Sequence, residues 1–252
     1  MFTFITLACL LGMLIFPTLM LVFSYPVSRK LSLFWSNYIT TRCARLFFVI
    51  MKQYRGFRFL GDEGSKSSLP EKFMVISNHQ SLIDIVVYLY YFAGREVRFV
   101  AKDTLGSAPM VGKMLRSQGH CLIPRKGSPA VAMRRLRNFG LRAVERNQIP
   151  VIFPEGTRSR DGNLGQFYSA GFRRLVENAR VPVAVCALDG GYRLSNIKDL
   201  FRNLKKGSYR VKVLKVYDAP ENKDAEKKIL DEGRELIQNQ LEEWRNSAVG
   251  SI

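Results

Sequence analysis

The sequence is poor in several residue types, and each shortage closes off a class of chemistry. It has 2 His in 252 residues, which removes most imidazole-based metal centres and leaves a short list for acid–base work. Its 4 Cys are Cys9, Cys43, Cys121 and Cys186. No two stand at CxxC or another metal-ligand spacing, and four are too few for a disulfide-built secreted scaffold. No charged side chain occurs from Met1 to Ser28, and no acidic one before Asp62. No internal repeat is visible. With 47% hydrophobic and 24% charged residues, the composition excludes a disordered chain. The length suits one large domain, alone or with an appendage.

Positive charge is what the chain has in excess: 39 Lys plus Arg against 21 Asp plus Glu, a formal +18. Residues 1–60 carry 7 basic and no acidic side chains, residues 61–218 carry 27 and 13, and residues 219–252 carry 5 and 8. The excess adjoins the apolar N-terminus and covers the middle of the chain, where an anionic surface or substrate could meet it. No nucleic acid is expected as that anion, because RNP, zinc-finger and helix-turn-helix signatures are all missing.

Phe2 to Phe23 is almost continuously apolar; fully helical, it would extend roughly 33 Å, about one bilayer core. It lacks the basic n-region and A-x-A-like end of a cleaved signal. A retained membrane segment is therefore expected, with a helix lying in the interface and kinked at Pro17 as the other arrangement. Arg29, Lys30, Arg42, Arg45, Lys52, Arg55 and Arg58 follow it, which by the positive-inside rule keeps the rest of the chain cytoplasmic. From Leu31 to Tyr54 apolar residues recur on a helical period, including Leu33, Phe34, Tyr38, Ile39, Cys43, Leu46, Phe47, Ile50 and Met51. Arg42 and Arg45 make that helix amphipathic, suited either to a membrane surface or to a soluble core. Residues 1–60 thus read as an N-terminal anchor with an amphipathic helix, 61–220 as the main domain and 221–252 as a charged C-terminal helix.

From Phe73 onward the pattern alternates. Strand signals fall at Phe73–Ser77, Val97–Val100, Cys121–Ile123, Pro150–Phe153, Val181–Leu188 and Tyr209–Tyr217. Between them, Pro129–Asn147 has a helical stripe of Val131, Leu136, Phe139 and Val144, with Ser128 as its N-cap. The tail from Asp224 to Trp244 turns Ile229, Leu230, Leu236, Ile237, Leu241 and Trp244 inward. Strands interleaved with helices predict an α/β domain with a mixed, largely parallel sheet flanked by helices.

Two constellations follow strands, where open α/β sheets place their sites. In Asn78-His79-Gln80-Ser81-Leu82-Ile83-Asp84, the carboxylate of Asp84 could fold back onto the imidazole, fixing its tautomer for proton abstraction from a hydroxyl. Taken alone, a His after a strand is more often a satisfied structural residue. In Phe153-Pro154-Glu155-Gly156-Thr157-Arg158-Ser159, the glycine allows close backbone approach and Arg158 offers donors to a phosphate, with Glu155 open to substrate hydroxyls. By itself that segment also reads as a plain surface turn. Lys102 and Arg125 close two further strand runs, as phosphate contacts or as solvated caps on the sheet edge. His120 has no nearby carboxylate and reads as structural.

Taken in order, Asn-His-x4-Asp, then Gly119 to Arg125, then Phe-Pro-Glu-Gly-Thr-Arg and Val181-Pro182-Val183 resemble the glycerolipid acyltransferase family. The likeness runs from about Gly61 to Pro220 and is nearest to 1-acylglycerol-3-phosphate (lysophosphatidic acid) acyltransferases. It implies transfer of a fatty acyl group from acyl-CoA or acyl-carrier protein to the sn-2 hydroxyl of lysophosphatidic acid. In the matching positions it implies His79 as general base with Asp84 as its partner, and acceptor binding by Arg125, Glu155, Gly156, Thr157 and Arg158, with Lys102 added. The match departs at Leu122, where the family usually has an aromatic residue. No cofactor and no metal are expected beyond the thioester co-substrate, since an activated carbonyl needs no enzyme nucleophile. The other readings are the same chemistry on another lysolipid or on glycerol phosphate, and a lipid- or thioester-binding protein or hydrolase.

Overall fold

The computed structural model describes residues 2–53, 58–124, 127–194 and 208–249. Its centre is a seven-stranded sheet: β1 (Arg58–Gly61), β2 (Met74–Ser77), β3 (Glu96–Lys102), β4 (Cys121–Ile123), β5 (Gln148–Ile152), β6 (Val183–Asp189) and β7 (Ser208–Tyr217). They lie in the order β1-β7-β6-β2-β5-β3-β4. The five strands from β6 to β4 are parallel, whereas β7 runs antiparallel to β6 and pairs in parallel with β1. The expected mixed, largely parallel α/β sheet is thus present. All four residues of β2 and all five of β5 are buried. Both strands sit mid-sheet with helices on both faces, so they read as apolar runs instead of alternating. In β7 buried and part-exposed positions alternate.

Helix α4 (Ile83–Tyr91) covers one face. There Val87, Tyr88 and Tyr91 pack with Val75, Phe99, Val151 and Tyr209. Helices α6 (Pro129–Glu145), α7 (Ser169–Ala179) and α8 (Lys223–Val249) cover the other. Here Leu136, Phe172, Ile229, Leu230, Ile237 and Leu241 meet Ile76, Ile152 and Val185. The acidic tail helix therefore contributes to the core through one apolar stripe. Ser128 stands at the N-cap of α6, but its side chain makes no capping hydrogen bond.

At the N-terminus, α1 (Phe2–Ser24) turns back into α2 (Arg29–Tyr38), a π-helical turn at Ile39–Cys43 and α3 (Ala44–Lys52). Among the described residues no helix is long and apolar enough to cross a membrane, so the expected spanning segment finds no support. Instead Pro17, Leu21 and Ser24 bury one side of α1, and Thr18 Oγ1 reaches Met110 beside α5 (Val111–Gln118) at 2.9 Å. The apolar period of the following helix divides. Ile39, Cys43 and Met51 are buried, joined by Phe48 from outside that period, whereas Leu31, Leu33, Phe34, Tyr38 and Leu46 are exposed. On α2 and the turn after it, small polar residues face the domain: Ser32, Ser36 and Thr40 are buried, and Gln118 Nε2 donates to Asn37 Oδ1 at 2.9 Å and Thr40 Oγ1 at 2.8 Å.

Candidate active site

β2 and β5 are adjacent and parallel, so the turns leaving their C-terminal ends meet at the crevice typical of open α/β sheets. Asn78 seals the first turn. Its Nδ2 donates to Leu188 O at 2.8 Å while its Oδ1 accepts from Leu188 N at 2.8 Å, tying the end of β2 to β6.

His79 and Asp84 come together as the sequence predicts, Nδ1 to Oδ2 at 2.6 Å. The imidazole is 15% exposed and the carboxylate fully buried. A buried carboxylate requires several donors, and Asp84 has them. Oδ2 also accepts from Gln80 N at 2.7 Å and Ser81 N at 3.0 Å, and Oδ1 accepts from the Tyr209 hydroxyl on β7. Asp84 lies in the first turn of α4, where the helix dipole favours negative charge. The Phe153 ring stacks on the imidazole at 4.1 Å and 11°, so ring orientation is fixed from a second direction.

Glu155, 4% exposed, bridges the two turns: Oε1 accepts from His79 N at 2.7 Å and Oε2 from Gly165 N at 2.8 Å. Burial raises its pKa, while those two backbone donors pull the other way. Ser159 N donates to His79 O at 2.7 Å, a second tie between the turns. Gly156 sits at φ +65°, a left-handed conformation that glycine adopts without steric cost. Thr157 and Arg158 are exposed on the same turn, and exposed Lys102 ends β3 on this side of the sheet. Arg125 and Arg55 lie outside the described residues.

Three contributors carried no signal in the sequence. Tyr209 is 125 positions from Asp84. Gln80 Oε1 accepts from Gly191 N at 2.9 Å, and a side chain at Gly191 would run into the Tyr209 hydroxyl. His120 is structural, as read: Nδ1 accepts from Phe99 N at 2.9 Å and Nε2 donates to Gln118 Oε1 at 3.1 Å. Burial, with the charges of Arg98 and Arg142, lowers its pKa to about 3. Among the described residues no group of three His, Cys, Asp or Glu is placed to hold a metal ion.

Residues 62–189 match the protein family described as acyltransferase. A 1-acyl-sn-glycerol-3-phosphate acyltransferase of Helicobacter pylori is 29% identical over 127 residues, covering 50% of this chain and 52% of that protein. Human 1-acyl-sn-glycerol-3-phosphate acyltransferase beta is 29% identical over 163 residues, covering 65% and 57%. The chain thus spans about half the length of the curated relatives it matches. In fold it resembles the crystal structure of the 1-acyl-sn-glycerophosphate (LPA) acyltransferase PlsC from Thermotoga maritima. The TM-score is 0.63 at 22% identity, covering 97% of this chain and 98% of that one.

Proposed function

This chain belongs to the acyltransferase family, and from that premise we propose that it transfers a fatty acyl group from a thioester donor to the sn-2 hydroxyl of lysophosphatidic acid, giving phosphatidic acid. The observation that carries the reading is the 2.6 Å contact between His79 Nδ1 and the fully buried Asp84. With Nδ1–H donated to the carboxylate, Nε2 is the nitrogen left to take a proton. In the proposed step, Nε2 accepts the acceptor's hydroxyl proton as the oxygen attacks the thioester carbonyl. The tetrahedral intermediate then collapses, the C–S bond breaks, and the thiolate recovers the proton from His79. An ester and a free thiol result.

Glu155 supports this chemistry by holding the His79 main chain and the turn after β5 in one geometry. Arg158, Thr157, Lys102 and Arg125 are proposed to hold the acceptor's phosphate, with Gly156 giving close backbone approach. A seat on the membrane completes the proposal. It is supported by the exposed Leu31, Leu33, Phe34, Tyr38 and Leu46 and by the cationic Arg29, Lys30, Arg42 and Arg45 beside them.

The test uses the purified protein with labelled acyl-CoA and, in parallel, labelled acyl-carrier protein. Lysophosphatidic acid, other lysolipids and glycerol 3-phosphate serve as acceptors. Labelled phosphatidic acid is the expected product. Transfer to another lysolipid alone would move the acceptor, and release of free fatty acid alone would make the protein a hydrolase.

A further inference from the structure

β4 ends the sheet, and between it, α5 and α6 lies a cavity of about 510 Å³ whose lining includes none of His79, Asp84 or Glu155. Arg116, Arg135 and Arg142 line it, against one carboxylate, Asp103. Among the described residues none of these arginines enters an ion pair. Each is anchored by a backbone carbonyl: Arg116 Nη2 to Gly106 O at 3.1 Å, Arg135 Nη1 to Leu122 O at 2.6 Å and Arg142 Nη2 to Gly119 O at 2.6 Å. The Arg135 contact falls on the edge strand itself, whose outer side would otherwise be open. A guanidinium has five donors, so most of each fork is left over after that duty. Arg142 is also crowded: its Nε is buried without a hydrogen-bond partner, and burial together with Arg146 lowers its pKa. Three guanidinium groups against one carboxylate suit a multiply charged anion.

The distance from the chemistry selects which anion. A row of stacked rings leads from His79 to Phe153, Phe99 and His120, with centroids 4.1, 6.3 and 5.7 Å apart. It runs from the turn after β2, past the end of β5 and across β3, to the residue before β4, and His120 lines the cavity. Three interstrand steps of ~4.8 Å put the cavity roughly 14 Å from His79. The acceptor's phosphate cannot be its occupant, because that group sits on the carbon next to the one bearing the hydroxyl. A coenzyme A thioester differs, carrying its diphosphate and 3′-phosphate at the far end of a long pantetheine arm. We propose that this arginine-lined cavity binds the phosphates of the donor's nucleotide end, making the donor an acyl-coenzyme A. The inference rests on the acyl-transfer reading above.

The experiment compares acyl-CoA with acyl-pantetheine, which keeps the thioester and lacks the nucleotide. Wild-type protein should prefer acyl-CoA in kcat/KM, and Arg116→Gln and Arg135→Gln should each cut that preference about tenfold, the worth of one charge-assisted contact. Arg137→Gln, exposed on α6 outside the cavity lining, should leave it intact. Adenosine 3′,5′-bisphosphate should inhibit wild type competitively against acyl-CoA, and calorimetry should detect coenzyme A binding that weakens in both cavity variants. The proposal is overturned if both donors suffer equally in the variants, if the bisphosphate neither binds nor inhibits, or if only acyl-carrier protein serves as donor. Coenzyme A binding with no acyl transfer to any acceptor would instead remove the reading on which the cavity's role rests.

Discussion

At the residue scale, the site is a carboxylate held from several sides so that one imidazole stands in one orientation. The His79–Asp84 spacing made that pair legible in the sequence, because five positions bridge the end of a strand and the first turn of a helix. Glu155 stood out in the sequence as a candidate, but its engagement with His79 N and Gly165 N did not. Tyr209 was invisible, since β7 reaches Asp84 only through sheet topology. Tyr209→Phe removes one donor to Asp84 Oδ1 and little volume. The carboxylate, and through it the imidazole, is then held less firmly in its orientation. The expected result is a kcat lowered about tenfold with KM for both substrates little changed. A kcat within about twofold of wild type would mean Tyr209 only fills space.

At the element scale, strands β2 to β7 were legible because apolar, β-branched runs mark them. β1 was missed because its four residues are alternately exposed and half-buried and give no such run. The orientation of α2 was also hidden, because its apolar period named an apolar face without saying that the domain would take the serine face. Gln118 joins that face to His120, so Gln118→Leu leaves Asn37, Thr40 and His120 without their partner and should lower stability by about 1–3 kcal/mol in urea unfolding.

His120 adds a pH dependence with a definite sign. Its folded pKa of about 3 lies below the ordinary 6.5, so the unfolded chain binds the extra proton between those values. Stability therefore falls as pH drops from 6.5 towards 3, by at most ~1.4 kcal/mol per pH unit from this group. His120→Asn, whose Oδ1 can replace Nδ1 as acceptor for Phe99 N, should flatten that part of the stability–pH curve. An unchanged slope would show that acid unfolding runs through other groups.

At the scale of the whole molecule, α1, α2 and α3 expose apolar side chains beside a basic domain. An apolar N-terminus was legible in the sequence; its folding into a hairpin was not, because the contacts of Leu21 and Thr18 with the rest of the protein are tertiary. Leu33→Asp and Leu46→Asp should each reduce binding to anionic vesicles about tenfold or more, since burying a leucine side chain is worth about 1.5–3 kcal/mol. Melting temperature should stay within a degree or two, both residues being exposed. Unchanged vesicle sedimentation would contradict the proposed seat on the membrane.

The central claim is that His79, oriented by Asp84, takes the proton from the attacking hydroxyl. Single-turnover formation of labelled phosphatidic acid by wild type, His79→Ala and Asp84→Asn measures this most directly, with circular dichroism confirming that each variant is folded. His79→Ala should lose about 10²–10⁴-fold, the usual contribution of a positioned general base, and Asp84→Asn should fall substantially as well. Turnover by folded His79→Ala within tenfold of wild type would contradict the claim.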